Sequence, residues 1–216
     1  MNILFDNIIV KGGWLMVPII LGSILALCIT IERGIFFWRN KLNVKEFTDD
    51  IFFLVEKGEI ERAIEQCKRV SHPIGAVFST GLEQIENEIT EVERAMEREG
   101  SRQVGILEKN FNYLLSIVGL EPMLGFLGTI IGLIQAFMAW EKFSTTVTVD
   151  RLAAGIYQAM ITTAAGLIVA IPFYIVYNLL THKVNLITHD LNYYGDKMIS
   201  IFNKRKGHSN ENQKPA

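Results

Sequence analysis

The sequence predicts an all-α integral membrane protein with three transmembrane helices and a helical cytoplasmic domain. Three windows lack Asp, Glu, Lys and Arg altogether: Trp14 to Ile31, Pro122 to Trp140 and Leu152 to Thr181. A charge-rich stretch, Glu32 to Glu121, separates the first two, and none of the windows alternates apolar and polar residues with period 2. Each window reaches the roughly 18 to 20 residues that carry a helix across about 30 Å of hydrocarbon. Only helices and closed barrels satisfy their own backbone there, and without alternation a barrel is excluded. A hydrophobic content of 50% and a mean hydropathy of +0.26 over 216 residues suit a chain dissolved largely in lipid.

Taken in order, residues 1–13 form an outer N-terminus and 14–38 the first span. No basic cluster precedes the span and no small-x-small site ends it, so it reads as a retained helix and not as a cleaved signal. Pro18 is expected to kink it. Residues 39–112 form a helical domain leading into the second span. Val44 to Val55 and Glu59 to Val70 read as short helices broken at Lys57-Gly58, and Pro73 with Gly75 marks a turn. Leu82, Ile85, Ile89, Val92 and Met96 then recur at helical spacing, which predicts one amphipathic helix. The second span covers 113–140, a short outer turn 141–150, the third span 151–181, and a C-terminal helix and tail 182–216.

Charge sets the direction. Glu32 to Asn112 holds 12 basic residues and the tail after Thr181 holds 6, against 3 (Lys11, Lys142, Arg151) on the other side. The positive-inside rule places the large loop and the C-terminus in the cytoplasm, and the N-terminus and residues 141–150 outside. The net charge of -2 gives no footprint for nucleic acid. Cys28 and Cys67 have no reason to meet, and both read as small buried free thiols.

Two stripes carry the functional argument. On the second span Glu121, Gly125, Gly128, Thr129, Gly132, Ala136 and Ala139 share one helical face; on the third, Gly155, Ala159, Thr162, Thr163, Gly166 and Ala170 do. Small residues let membrane helices approach closely, so packing alone is one reading of both stripes. At about 1.5 Å per residue, Thr129 lies roughly 17 Å below Trp140 and Thr163 roughly 18 Å below Arg151. The two hydroxyls are therefore expected at one depth near mid-membrane, where no ionisable group of the spans is expected. A proton path through such a layer would need a carboxylate from another polypeptide. No G-x-x-x-x-G-K-[ST] loop is present, and His72, His182, His189 and His208 lack zinc-ligand spacing. With no nucleophile, metal cluster or carboxylate pair in a span, the chain does not read as an enzyme, and no cofactor or metal is called for.

Together, Ile31-Glu32-Arg33 with Phe36-Phe37-Trp38-Arg39, Pro122-x-x-Gly125-x-x-Gly128-Thr129-x-x-Gly132, and the run Gly155 to Pro172 resemble the ExbB/TolQ/MotA proton-channel family, most closely its ExbB-like branch. The resemblance covers nearly the whole chain to about Asn203. It implies a bacterial inner-membrane protein, five copies in a ring around an ExbD-like single-span dimer with a membrane Asp, and work passed to a TonB-like protein for outer-membrane uptake. Thr129 and Thr163 fall at the pore-facing threonines of the family, with Thr162, Gln158 and Glu121 as further candidates for the ion path. Gly125, Gly128, Gly132, Gly155 and Gly166 are then helix-packing and partner-facing, and Glu32 and Arg33 serve topology and subunit contact.

Two positions depart from the family pattern. Gln158 stands where many relatives have a third-span Glu, and cannot ionise. Glu121 stands where relatives usually have a small residue; it is expected on the pore-side stripe near the cytoplasmic boundary, either as a snorkelling carboxylate or as a proton exit group. A TolQ-like role in envelope integrity and division is the alternative within the resemblance. A non-conducting membrane scaffold is the alternative outside it.

Overall fold

The computed structural model describes residues 12–142 and 149–211. Residues 1–11, 143–148 and 212–216 lie outside the described residues, and with them Lys11, most of the expected outer N-terminus and most of the expected outer turn. The helices are α1 (Met16–Arg39), α2 (Val44–Lys57), α3 (Ile60–Arg69), α4 (Pro73–Glu83), α5 (Ile89–Leu107), α6 (Phe111–Lys142) and α7 (Val149–Glu211), and no strand occurs among the described residues. Three helical stretches, in α1, α6 and α7, are long and apolar enough to cross a membrane. This is an all-α, three-span architecture. The expected third span and C-terminal helix are one continuous helix of 63 residues.

The chain divides into two compact units. The first comprises residues up to Gly34 and Asn110–Leu179. Large apolar side chains such as Leu25, Phe126, Phe137, Ile168 and Ile175 are exposed on its helices, as a lipid-facing surface requires. Cys28, expected to be buried, is exposed here, because its position falls on the outer face of α1. Pro18 lies in the first turn of α1, where a missing N–H breaks no helical bond, so no mid-helix kink arises from it. Pro122 and Pro172 lie inside α6 and α7, and both helices run through them.

The second unit, Ile35–Lys109 with the chain from Leu180 onward, is built like a water-soluble domain. Ile51, Phe52 and Val55 of α2, Ile74 and Phe78 of α4, and Leu191, Met198 and Phe202 of α7 share one core. Gly58 ends α2 in the left-handed region (φ 84°), and the Gly58 and Glu59 amides close back on the Val55 and Leu54 carbonyls. Arg205 adds a side-chain bond to the Val55 carbonyl at 3.2 Å. Pro73, expected in a turn, instead opens α4 at its first position, with the buried His72 Nδ1 accepting from the Ile74 amide at 3.3 Å. Burial holds this imidazole below its ordinary pKa, against a smaller opposing pull from Asp190. Gly75 is needed because a methyl there would lie 2.6 Å from the Cys67 carbonyl. Cys67 itself is buried, which pushes its thiol up to about 12 and leaves it unreactive.

The single amphipathic helix expected from Leu82 to Met96 is two helices. It breaks between Glu83 and Ile89. Leu82, Val92 and Met96 still join one core, because the break folds α5 back on α4 and sets the Met96 thioether against Gly81.

Candidate ion-pathway site

Within the first unit the two small stripes face each other in the same chain. A methyl at Gly125 would lie 3.0 Å from Thr163 Cα, one at Gly132 2.9 Å from Ala159 Cβ, and one at Gly155 2.8 Å from Ala136 Cβ. Gly166 in turn abuts the backbone of Glu121 and Gly125. Glycine at each of these points lets the backbones of α6 and α7 touch, which compensates in lipid for the missing hydrophobic drive. The pairing runs antiparallel, with Thr163 level with Gly125. It therefore sits one turn, about 6 Å, along the axis from Thr129. The expected common depth fails because it assumes that Trp140 and Arg151 are level, whereas the contacts of Gly125 with Thr163 and of Gly132 with Gly155 and Ala159 set a different register.

Each threonine has a different neighbourhood. Thr129 is half-buried and donates to the Phe126 carbonyl of its own helix at 2.6 Å. Thr163, also half-buried, donates across the seam to the Gly125 carbonyl at 2.9 Å. Thr162 is 0% exposed, lies against Gly128 and donates to the Ala159 carbonyl at 2.9 Å. The roughly 100° of rotation between consecutive helical residues separates it from Thr163. Both half-buried hydroxyls donate to the backbone, which leaves the lone pairs of each oxygen as acceptors. Gln158 is half-buried, its amide packed where a side chain on the left-handed Gly13 (φ 75°) would stand.

Glu121 is enclosed and does not snorkel as one of the two sequence readings expects. It is 2% exposed, and a methyl at Gly22 of α1 would collide with its Oε1. Gly22 lies eight residues after Trp14 and nine before Ile31; Gly166, against the Glu121 backbone, lies 14 after Leu152 and 15 before Thr181. Both neighbours lie well inside their uncharged stretches, while on its own helix Glu121 lies eight residues after Tyr113 and 19 before Trp140. The charge-free window opened at Pro122 only because Glu121 itself ended it. The uncharged run Asn112 to Leu120 belongs to the same helix and extends the span on its other side. The chain therefore does carry a carboxyl enclosed among its apolar helices.

At the end of the first span, Arg33 is 3% exposed and pairs with its neighbour Glu32. Glu32 also accepts from Asn110 Nδ2 at 2.9 Å. Asn110, which the sequence reading passed over, joins α5 to α6 in the left-handed region (φ 68°). Asparagine is among the few side chains that tolerate this region, and one sitting between two helical patterns was the available signal. Asn110→Val removes both the tolerated conformation and the bond to Glu32. It is expected to cost about 1–3 kcal/mol, seen as a lower melting temperature of the detergent-solubilised protein, with Asn110→Gly losing less.

The sequence profile of the MotA/TolQ/ExbB proton channel family matches residues 69–192, which include α4, α5, α6 and both stripes. The chain is 30% identical over 187 residues to the ExbB-like 1 biopolymer transport protein of Synechocystis sp., covering 85% of this chain and 72% of that protein. It is 27% identical over 192 residues to the biopolymer transport protein ExbB of Neisseria meningitidis, covering 81% of this chain and 84% of the relative. Similarity to the Tol-Pal system protein TolQ of Haemophilus influenzae is 34% over 112 residues, about half of each chain.

Proposed function

From a chain that belongs to the MotA/TolQ/ExbB proton channel family, we propose a ring-forming, ExbB-like subunit of a motor driven by the proton-motive force across a bacterial inner membrane. Its partner is an ExbD-like single-span protein carrying a membrane Asp, and its output passes through a TonB-like protein to outer-membrane transport. Five copies form the ring. The N-terminus faces the periplasm and the second unit the cytoplasm, in line with the charge asymmetry of the sequence.

The observation that carries this reading is the pair of half-buried hydroxyl oxygens, Thr129 and Thr163, each with its proton already donated to a backbone carbonyl. Such oxygens accept from a protonated acid and cannot neutralise a carboxylate. A partner Asp facing them is favoured neutral, so it crosses the apolar layer only when it carries a proton. Each proton descending about 100 mV delivers roughly 2.3 kcal/mol, enough to bias a rotation. In this reading Thr162 serves the seam and Gln158 borders the path without ionising. Gly125, Gly128, Gly132, Gly155 and Gly166 keep α6 and α7 in contact so that the hydroxyl face stays rigid. Glu32 and Arg33 fix the end of α1 and contribute to contacts between copies. The proposal assigns no catalysis, cofactor or nucleic acid to the chain.

A TolQ-like role in envelope integrity is the second reading, favoured by the similarity to the Haemophilus protein over 112 residues. Affinity purification from native membranes tests the motor reading against a non-conducting scaffold. A single-span protein with a membrane Asp, retained at fewer copies than this chain, is the expected result. Recovery of rings with no such protein would leave a non-conducting scaffold as the better description.

A further inference from the structure

The pathway just described leaves a buried ionisable group unused. Glu121 sits at the junction of α1, α6 and α7, 2% exposed, with Oε2 making no hydrogen bond among the described residues. Gly22 leaves it room on one side and Gly166 closes on its backbone from the other. No other charged residue occurs in 16–31, 112–140 or 153–181, so α1, α7 and its own helix all face it with uncharged groups. An ionised carboxylate enclosed this way has no counter-charge beside it, and costs far more than a neutral acid with one unmade bond. The packing accommodates the neutral form.

We propose that Glu121 is a proton-binding site of the chain itself, which holds its proton while α1 is closed on it and exchanges it when α1 parts from it. On opening, water reaches Oε2, the O–H bond breaks, the proton passes to that water, and a hydrated carboxylate remains. Reprotonation from water then permits closure. Loading and helix packing are coupled, because only the neutral acid is tolerated against Gly22. The use of this site in the motor cycle rests on the function proposed above; the bound proton does not.

The first test needs no partner protein. The full chain in phospholipid nanodiscs is compared with Glu121→Gln by infrared difference spectroscopy across a pH series, with Glu121→Asp as a variant that keeps the acid. At neutral pH, a carbonyl band of a protonated carboxyl is expected in the wild type and in Glu121→Asp, and it should vanish in Glu121→Gln. If the difference at neutral pH is instead a carboxylate band, Glu121 is ionised in the closed packing and the proposal is overturned. The second test uses the complete complex. Glu121→Gln is expected to lower proton-driven work at least tenfold at unchanged complex yield. Full work in that variant removes Glu121 from the cycle while leaving the threonine and partner-acid reading intact.

Discussion

Replacing Thr129 and Thr163 together by Val is expected to reduce proton-driven transport about a hundredfold while the complex still assembles. Val keeps the branched shape of Thr, so the seam beside Thr163 changes little in volume, and only the oxygens are lost. An acid without its acceptor in an apolar layer forfeits about 1–3 kcal/mol, and about 1.4 kcal/mol is a factor of ten in rate. Two such losses in series give the expected size. Thr162→Val provides the internal control: its hydroxyl is buried and bonded to its own helix, so transport should stay within about threefold, less than one lost acceptor would take. Uptake assays in cells, with complex yield measured in parallel, decide the matter. Wild-type uptake in the double variant would remove the hydroxyls from the pathway.

Gly132→Leu is expected to have the largest effect on folding. A side chain at Gly132 meets the Gly155 carbonyl at 2.8 Å and Ala159 Cβ at 2.9 Å, and backbone cannot swing aside as a flexible side chain would. Overpacking a tight site costs about 1–3 kcal/mol, and more where backbone must move. Separating α6 from α7 also stretches the bond from Thr163 to the Gly125 carbonyl. The variant should therefore melt well below the wild type and yield little intact oligomer. Gly119→Leu offers the contrast, since no group lies within 4 Å of a methyl added there. Equal thermal stability of Gly132→Leu and wild type would show that the seam is looser than described here.

Much of this was legible in the residues. The three apolar windows located the spans, and Gly58 announced the end of α2, because length in lipid and a left-handed helix stop both leave local signatures. The stripes were legible as stripes. Their partner was not: helical spacing states which residues share a face, but not whether the opposing face belongs to the same chain. Depth was misjudged for a related reason. Counting from Trp140 and Arg151 assumed level helix ends, and the register of α6 against α7 came only with the contacts of Gly125 and Gly132. The burial of Glu121 was not legible, because a charge inside a helix does not state which neighbouring helix, here α1 at Gly22, will cover it. The break between Glu83 and Ile89 was hidden by a spacing of apolar residues that stays helical across it.

The donor bonds of Thr129 and Thr163 bear on which ion the pathway takes. The carbonyls of Phe126 and Gly125 are already engaged by those hydroxyls, which leaves two hydroxyl oxygens about one helical turn apart along the axis. A dehydrated sodium ion needs a cage of several oxygens converging on one point, and spacing of about 6 Å along the axis prevents these two from sharing it. A hydrogen nucleus asks for a single lone pair at a time. Within one copy of the proposed ring, the two threonine oxygens alone therefore make no site for an alkali metal ion.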